Sequence, residues 1–319
     1  MVDVTLLICT RNRADTLAVA LYHLAKLRIP DRLRWEVVVV DNASTDQTQE
    51  VVREIIDSNQ FPCEVTLLEE TTLGVAFARK RGIAASQGTW VAYVDDDCRL
   101  ADDWLSEFSK FANSHPEAGA FGGLNELEWE ELPSRLSRLY RKSLAGQDWG
   151  KEPQCFPIEG DRVPCGAGLV LRRDAILESG YLDLGRLISR QGKRLTSGED
   201  TEIQLLIRQK GWEIWYAPGL RLRHYISAER DSLSYLLALH YGFGRAEPYL
   251  ILLEKQLPLT SQNRLRTLGW AGRETMSVMR RFPLGFLRYK NERPTWLIRL
   301  WYALGMVKGA TDLSLFYRD

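Results

Sequence analysis

The sequence carries no net charge: 42 Lys and Arg residues balance 42 Asp and Glu residues over 319 positions. That balance excludes a generally basic nucleic-acid binder. No apolar run reaches the roughly 18 residues of a membrane span. The start, Met1-Val2-Asp3-Val4, lacks the basic segment and the length of a secretory leader. Cysteine is sparse, with five scattered residues (Cys9, Cys63, Cys98, Cys155 and Cys165) and no CxxC pair. The expectation is reduced, mostly buried thiols in a cytoplasmic protein. No internal repeat recurs at a fixed period. The turn after the first apolar run is Thr10-Arg11-Asn12-Arg13, without the glycines of GxGxxG or GxxxxGK[ST]. A dinucleotide-binding Rossmann domain and a P-loop nucleotidase are therefore disfavoured.

What remains is a chain of ordinary globular composition, 45% hydrophobic and 26% charged, long enough for one large domain or two modest ones. Its first hundred residues alternate two patterns. Short apolar runs at Val4 to Cys9, Trp35 to Val40, Glu64 to Leu68 and Thr89 to Val94 read as strands. Thr16 to Leu27, Gln47 to Ile56 and Val75 to Ala85 read as helices, the second capped by Asp46. Such alternation predicts an α/β fold, a mainly parallel sheet with helices on both faces. Further strands are expected at Ala118 to Leu124, Val163 to Leu171 and Glu213 to Tyr216, and helices at Ser134 to Ser143 and Glu199 to Lys210. From about Asp231 the chain reads as helical, aromatic and basic.

Ligands of such sheets bind beyond the carboxyl ends of the strands, and acids gather there. Asp41 ends the second strand, placed to accept hydrogen bonds from a base or ribose, and Asp95-Asp96-Asp97 ends the fourth. Three adjacent carboxylates repel one another unless a cation joins them, and hard oxygen ligands suit Mg²⁺ or Mn²⁺. The same triplet is also compatible with a solvated turn capping the next helix. Gly198-Glu199-Asp200 opens a helix about a hundred residues later, where a carboxylate serves either chemistry or the helix dipole. His224 is either a structural histidine or a ligand.

In order, Ile8-Cys9-Thr10-Arg11-Asn12-Arg13, Val40-Asp41-Asn42-Ala43-Ser44-Thr45-Asp46, Gly74-Val75-Ala76-Phe77-Ala78-Arg79, Asp95-Asp96-Asp97 and Gly198-Glu199-Asp200 resemble the motifs of family 2 glycosyltransferases. The resemblance extends from about residue 3 to 226. Each motif is weak alone, but five in the family's order with fitting gaps form a specific combination. It implies a GT-A fold, Rossmann-like, with a donor half at 1–100 and an acceptor half at 101–229. It implies that Thr10, Arg11, Arg13 and Asp41 contact a donor nucleotide, most often uridine, and that Arg79 helps to hold it. Asp95 and Asp96 join the donor contacts, Asp97 binds the divalent metal on the diphosphate, and His224 completes the metal shell. Asp200 is implied as the base, with Glu199 orienting the acceptor. Gly166 and Trp149 are the expected acceptor contacts. Cys98 and Cys165 stand where a further acid and a small polar residue are frequent in the family. The implied reaction is metal-dependent transfer with inversion, from a nucleotide sugar to a saccharide or lipid-linked hydroxyl, in bacterial surface polysaccharide or glycolipid synthesis. The competing classes are a nucleotidyltransferase, which would normally show a glycine-rich basic loop after its first strand, and a non-catalytic nucleotide- or sugar-binding protein.

The charge balance conceals a split. Residues 1–229 hold 28 basic and 35 acidic side chains, whereas residues 230–319 hold 14 and 7. The tail interleaves its basic residues with aromatics, as in Arg280-Arg281-Phe282, Arg288-Tyr289-Lys290 and Trp296-Leu297-Ile298-Arg299-Leu300-Trp301-Tyr302. Three fates are open for it: peripheral contact with an anionic membrane, which would place the protein on the inner face of the cell membrane, packing on the catalytic domain, or a homodimer face.

Overall fold

In a computed structural model, residues 2–157, 163–191, 195–288 and 293–313 are described, with 282–288 as backbone only. The side chains of Phe282 and Arg288, and Tyr289 and Lys290 entirely, lie outside the described residues. The apolar runs of the first hundred residues become strands. In chain order these are β1 (Val4–Thr10), α1 (Ala14–Leu24), β2 (Trp35–Asp41), α2 (Thr48–Ser58), β3 (Glu64–Glu69), α3 (Val75–Ala85) and β4 (Trp90–Tyr93). There follow β5 (Cys98–Leu100), α4 (Trp104–Ser114), β6 (Ala118–Trp129), α5 (Arg135–Leu139), β7 (Gln154–Cys155), β8 (Val170–Arg172), α6 (Arg173–Ser179) and α7 (Tyr181–Leu184). The rest is α8 (Glu199–Gln209), β9 (Glu213–Ile226), α9 (Leu233–Glu254), α10 (Ser261–Arg288) and α11 (Arg293–Asp312).

One mixed sheet runs β3-β2-β1-β4-β8-β6-β9-β5, with β7 beside β9. Its long ladders are parallel: β1 with β2, β2 with β3, and β6 with β9. Short antiparallel ladders join β4 and β6 to β8, and β5 to β9. Both faces are covered, which explains why the strands read as unbroken apolar runs. Leu6 and Ile8 pack with Leu17 and Leu21 of α1 and Phe108 of α4. Leu7, on the opposite face, joins Ala78 of α3 with Ile203 and Ile207 of α8. Period-two alternation along one strand thus feeds two separate cores.

The sequence expectations for β1 to β4 and α1 to α3 hold to within a few residues. The N-cap of α2 is Gln47 rather than Asp46, which stands one residue ahead and accepts the Thr48 N–H at 3.1 Å through Oδ1. Three expectations change. The strand expected over Val163 to Leu171 shrinks to Val170–Arg172; before it come Pro164, which lacks a ladder donor, and Gly168 at φ +75. The strand expected at Glu213 to Tyr216 continues to Ile226, through Pro218 and Gly219. The helix expected over Ser134 to Ser143 is split into α5 and a tight 3-10 turn, Arg141–Leu144.

Helix α9 packs on the sheet-bearing part of the chain through an apolar cluster of Leu187, Ala246, Tyr249 and Leu252. Its approach to α11 is set by glycine. A Cβ on Gly244 would run into the Tyr302 carbonyl oxygen, and one on Gly305 or Gly309 into the carbonyl of Tyr241 or Arg245. Among the described residues, no helix is long and apolar enough to cross a membrane.

Candidate active site

The acidic triplet leaves β4 and divides its work among three directions. Asp96 turns inward, where its carboxylate accepts from Thr10 Oγ1 at 2.7 Å and from Arg13 Nη1 at 2.5 Å. Asp97 receives Arg13 Nη1 at 2.9 Å and Arg230 Nη1 at 3.1 Å, and its Oδ1 lies 3.1 Å from His224 Nε2. Asp95 stays partly exposed, 3.4 Å from Arg79 Nη2. Burial pushes Asp96 up to about 6 against the pull of Arg13. Burial alone would raise Asp97 too, but His224, Arg230 and Arg13 hold it well below the usual carboxylate range. Asp97 is therefore the permanent anion of the pair.

The β5–β9 ladder brings these groups together. Cys98 pairs with His224, and the Tyr225 N–H donates to the Asp97 carbonyl at 2.9 Å. The His224 ring is oriented by its other nitrogen: Nδ1 lies 3.0 Å from the Leu144 carbonyl. A carbonyl cannot donate, so Nδ1 carries the proton and, in the neutral ring, Nε2 presents a lone pair. Nε2 faces Asp97 Oδ1 at 3.1 Å, donating to it when the ring is protonated and, when the ring is neutral, offering a lone pair beside the carboxylate to a cation. The ligand atoms of Asp95, Asp97, Cys98 and His224 all lie within 4.8 Å of one another. Burial raises the Cys98 thiol well above its ordinary value, which leaves a carboxylate–imidazole donor set suited to Mn²⁺ or Mg²⁺. The residues fit a divalent metal.

The second acidic cluster opens α8. Gly198, at φ +117, turns the chain so that Glu199 and Asp200 enter the site from the opposite side. Glu199 is buried, with Oε1 2.5 Å from Arg79 Nη1. Arg79 also lies 4.3 Å from the Tyr93 ring centre and reaches Asp95, so one guanidinium links both acidic clusters. Asp200 Oδ2 accepts the Gly166 N–H at 2.7 Å, and Oδ1 accepts the Thr201 N–H at 2.9 Å. Burial, followed by the Glu199 charge, pushes Asp200 up to about 6. A Cβ on Gly166 would sit 3.0 Å from Asp200 Oδ2, so a side chain there would crowd this carboxylate.

Two hollows meet here. A cleft of about 620 Å³ is lined by Thr10, Arg11, Arg79, Asp95 and Arg230, among others. A smaller one of about 340 Å³ is lined by Trp149, Val163, Leu205, Phe243 and Leu250, among others. Asp200 and Cys165 line both. Arg11 has a buried Nε without a hydrogen-bond partner among the described residues, an unused donor at the cleft. Trp149 packs edge-on to Phe156 and Tyr216 and belongs to the smaller hollow, whereas Gly166 lies in the cleft. Asp41 stands apart. It is fully buried, and its carboxylate accepts from the Ser44 N–H and from Gln49 Nε2 at 2.6 Å. It braces the turn after β2, while its neighbour Asn42 reaches the cleft.

The expected residues other than Asp41 thus converge on two connected hollows. Arg230 was not anticipated. It lies beyond the last motif and meets Asp97 across 133 positions, a separation that no local pattern records. The arrangement offers positive charge toward an anion in the cleft, an acidic cation site beside it, and a carboxylate of raised basicity on the wall between the hollows.

Comparison with known proteins gives this geometry a family. The chain is 24% identical to succinoglycan biosynthesis protein ExoM of Rhizobium meliloti over 249 residues, 76% of this chain and 74% of that protein. It is 28% identical to polypeptide N-acetylgalactosaminyltransferase 5 of Caenorhabditis elegans over 178 residues, 51% of this chain. The match spans only 28% of that protein's length. Among solved structures, the mannosyltransferase PcManGT of Pyrobaculum calidifontis, in complex with GDP-Man and Mn²⁺, shares the fold. Its TM-score is 0.59, with 19% identity, covering 99% of this chain and 88% of that one. The family model for glycosyl transferase family 2 matches residues 5–179, more than half of the sequence, and the chain belongs to that family.

Proposed function

We propose that the protein is a metal-dependent, inverting glycosyltransferase. It transfers a sugar from a nucleoside diphosphate sugar, with UDP as the nucleotide, to a hydroxyl on a saccharide or lipid-linked acceptor. Residues 1–229 form the catalytic domain, and 230–319 form a helical extension. The observation that carries this reading is Asp200, a carboxylate raised to about 6 on the wall shared by the cleft and the smaller hollow. A base there meets an acceptor hydroxyl entering from one side and a donor sugar held on the other. The donor diphosphate lies against Arg11 and Arg13, and the acceptor packs on Trp149. A divalent cation held by Asp97 and His224 supplies positive charge against the leaving diphosphate. Glu199 is held by Arg79, so a single free carboxylate serves as base, which supports one displacement with inversion. ExoM, named for succinoglycan biosynthesis, supports a role in bacterial surface polysaccharide or glycolipid synthesis.

The test is a thermal-shift panel of UDP- and GDP-sugars with and without Mn²⁺, followed by transfer assays on the best donor. A donor-induced shift that needs Mn²⁺ is expected. Asp200→Asn should retain that shift and lose at least about a hundredfold in turnover. Retention of most turnover in Asp200→Asn would remove the base from this position.

A further inference from the structure

Arg230 is a buried cation that touches both Asp97 and His224, with 7% of its surface accessible. Its Nη1 lies 3.1 Å from Asp97 Oδ2 and 3.4 Å from His224 Nε2. The same nitrogen thus addresses both side chains that would hold a divalent cation, at the Asp97 oxygen opposite the one facing His224 and at His224 Nε2 itself. Arg13 Nη1, 2.9 Å from Asp97 Oδ2, covers the other approach. Arg230 Nε is buried without a partner among the described residues, and its guanidinium stands 5.6 Å from the Tyr235 ring centre. A fixed positive charge at hydrogen-bond distance from both ligands repels an incoming divalent cation. Its unused Nε–H and planar fork suit a phosphate.

We infer that Arg230 guards the cation site, holding Asp97 and His224 in the donor-free protein and releasing them to the metal only when a diphosphate enters and takes the guanidinium. The inference rests on the metal reading above and adds a coupling to it. Metal and nucleotide each remove an obstacle to the other, so they bind cooperatively, and linkage makes the effect equal in both directions. Arg230 is in this sense a donor-binding residue and a brake on metal binding at once.

Calorimetric or paramagnetic titration of Mn²⁺ into the intact chain, alone and with saturating UDP or GDP, tests the exchange without recourse to turnover. The wild-type protein should bind Mn²⁺ about tenfold or more tightly with the nucleoside diphosphate than without it. Arg230→Gln should bind Mn²⁺ about tenfold more tightly than wild type in the absence of nucleotide, bind UDP or GDP more weakly in its presence, and show reduced coupling. Arg230→Lys, which keeps the charge, should stay closer to wild type in nucleotide-free Mn²⁺ affinity. Equal Mn²⁺ affinity of the wild type with and without nucleotide overturns the exchange, even should Arg230→Gln fold poorly. So does unchanged or weaker nucleotide-free Mn²⁺ binding by a folded Arg230→Gln. Failure of the wild type to bind Mn²⁺ under either condition removes the metal site itself, a result distinct from loss of the coupling alone.

Discussion

Asp96 and Asp200 are both carboxylates pushed up to about 6, with burial as the first cause, yet only one of them can exchange a proton with a substrate. Asp96 is enclosed by Thr10 and Arg13. Asp200 is half-buried, held by two backbone N–H donors, and open to both hollows. A base must be ionised to act, so kcat/KM should fall as pH drops through about 6, well above the ordinary carboxylate range. The sign of the stability effect separates this limb from unfolding. Groups whose folded pKa is raised favour the folded state below their unfolded value and lose that contribution as pH rises through about 6. Asp97 behaves oppositely: its contribution is present above the unfolded carboxylate value and is lost only as pH falls well below it. A rate profile and a melting profile over pH 4 to 8 check this, and a flat rate through pH 6 would contradict the assignment. At this scale the motifs exposed most of the site, because the triplet, Glu199-Asp200 and His224 are local patterns. Asp41 sits outside the lining of the cleft, its carboxylate engaged by the turn that follows it. Arg230 was invisible, since its partner is distant in sequence.

At the scale of elements, doubly covered strands were legible because burial on both faces demands continuous apolar runs. The segment from Val163 to Leu169 shows where that rule stops. Its apolar residues line hollows and loops instead of a ladder, and Pro164, Gly166 and Gly168 shape the backbone beside Asp200. Strand β9 shows the converse, since Pro218 and Gly219 look like a stop and the strand continues through a register shift near Gly122 and Leu124 of β6. The crossing of α9 and α11 depends on side chains that are absent, as at Gly244, Gly305 and Gly309. Gly305→Leu should force these helices apart at a cost of about 1–3 kcal/mol. A melting midpoint lower by several degrees and earlier proteolysis within α11 are the expected results. An unchanged midpoint would mean that the helices do not rely on this close approach.

For the molecule as a whole, the charge split acquires a surface. The exposed side of α10 presents Leu265, Met276 and Met279, each more than half accessible, among Arg266, Arg273, Arg280 and Arg281. Apolar side chains among arginines favour an anionic lipid interface, each basic residue contributing about 1 kcal/mol near the surface. We propose peripheral contact of this face with the membrane. The protein should therefore co-float with vesicles containing anionic lipid, and should be released by high salt or by replacing Arg266, Arg273 and Arg280 with Glu. Failure to co-float at low salt would leave the face to another role. This was legible in the sequence only as a basic, aromatic composition. Which residues turn outward depended on how α9 and α11 covered the rest.

The antiparallel pairing of β5 with β9 spans only three residues, Cys98 to Leu100. Together with the longer β6–β9 ladder, which pairs Leu127 with His224, it sets His224 beside Asp97. Side chains along a strand alternate between faces, so Leu220 and Leu222 of the core share the His224 face, and a slip of one position in β9 would turn all three away together. The cation site and the core are therefore set by one register, and Mn²⁺ affinity should be lost together with the melting midpoint when that register fails.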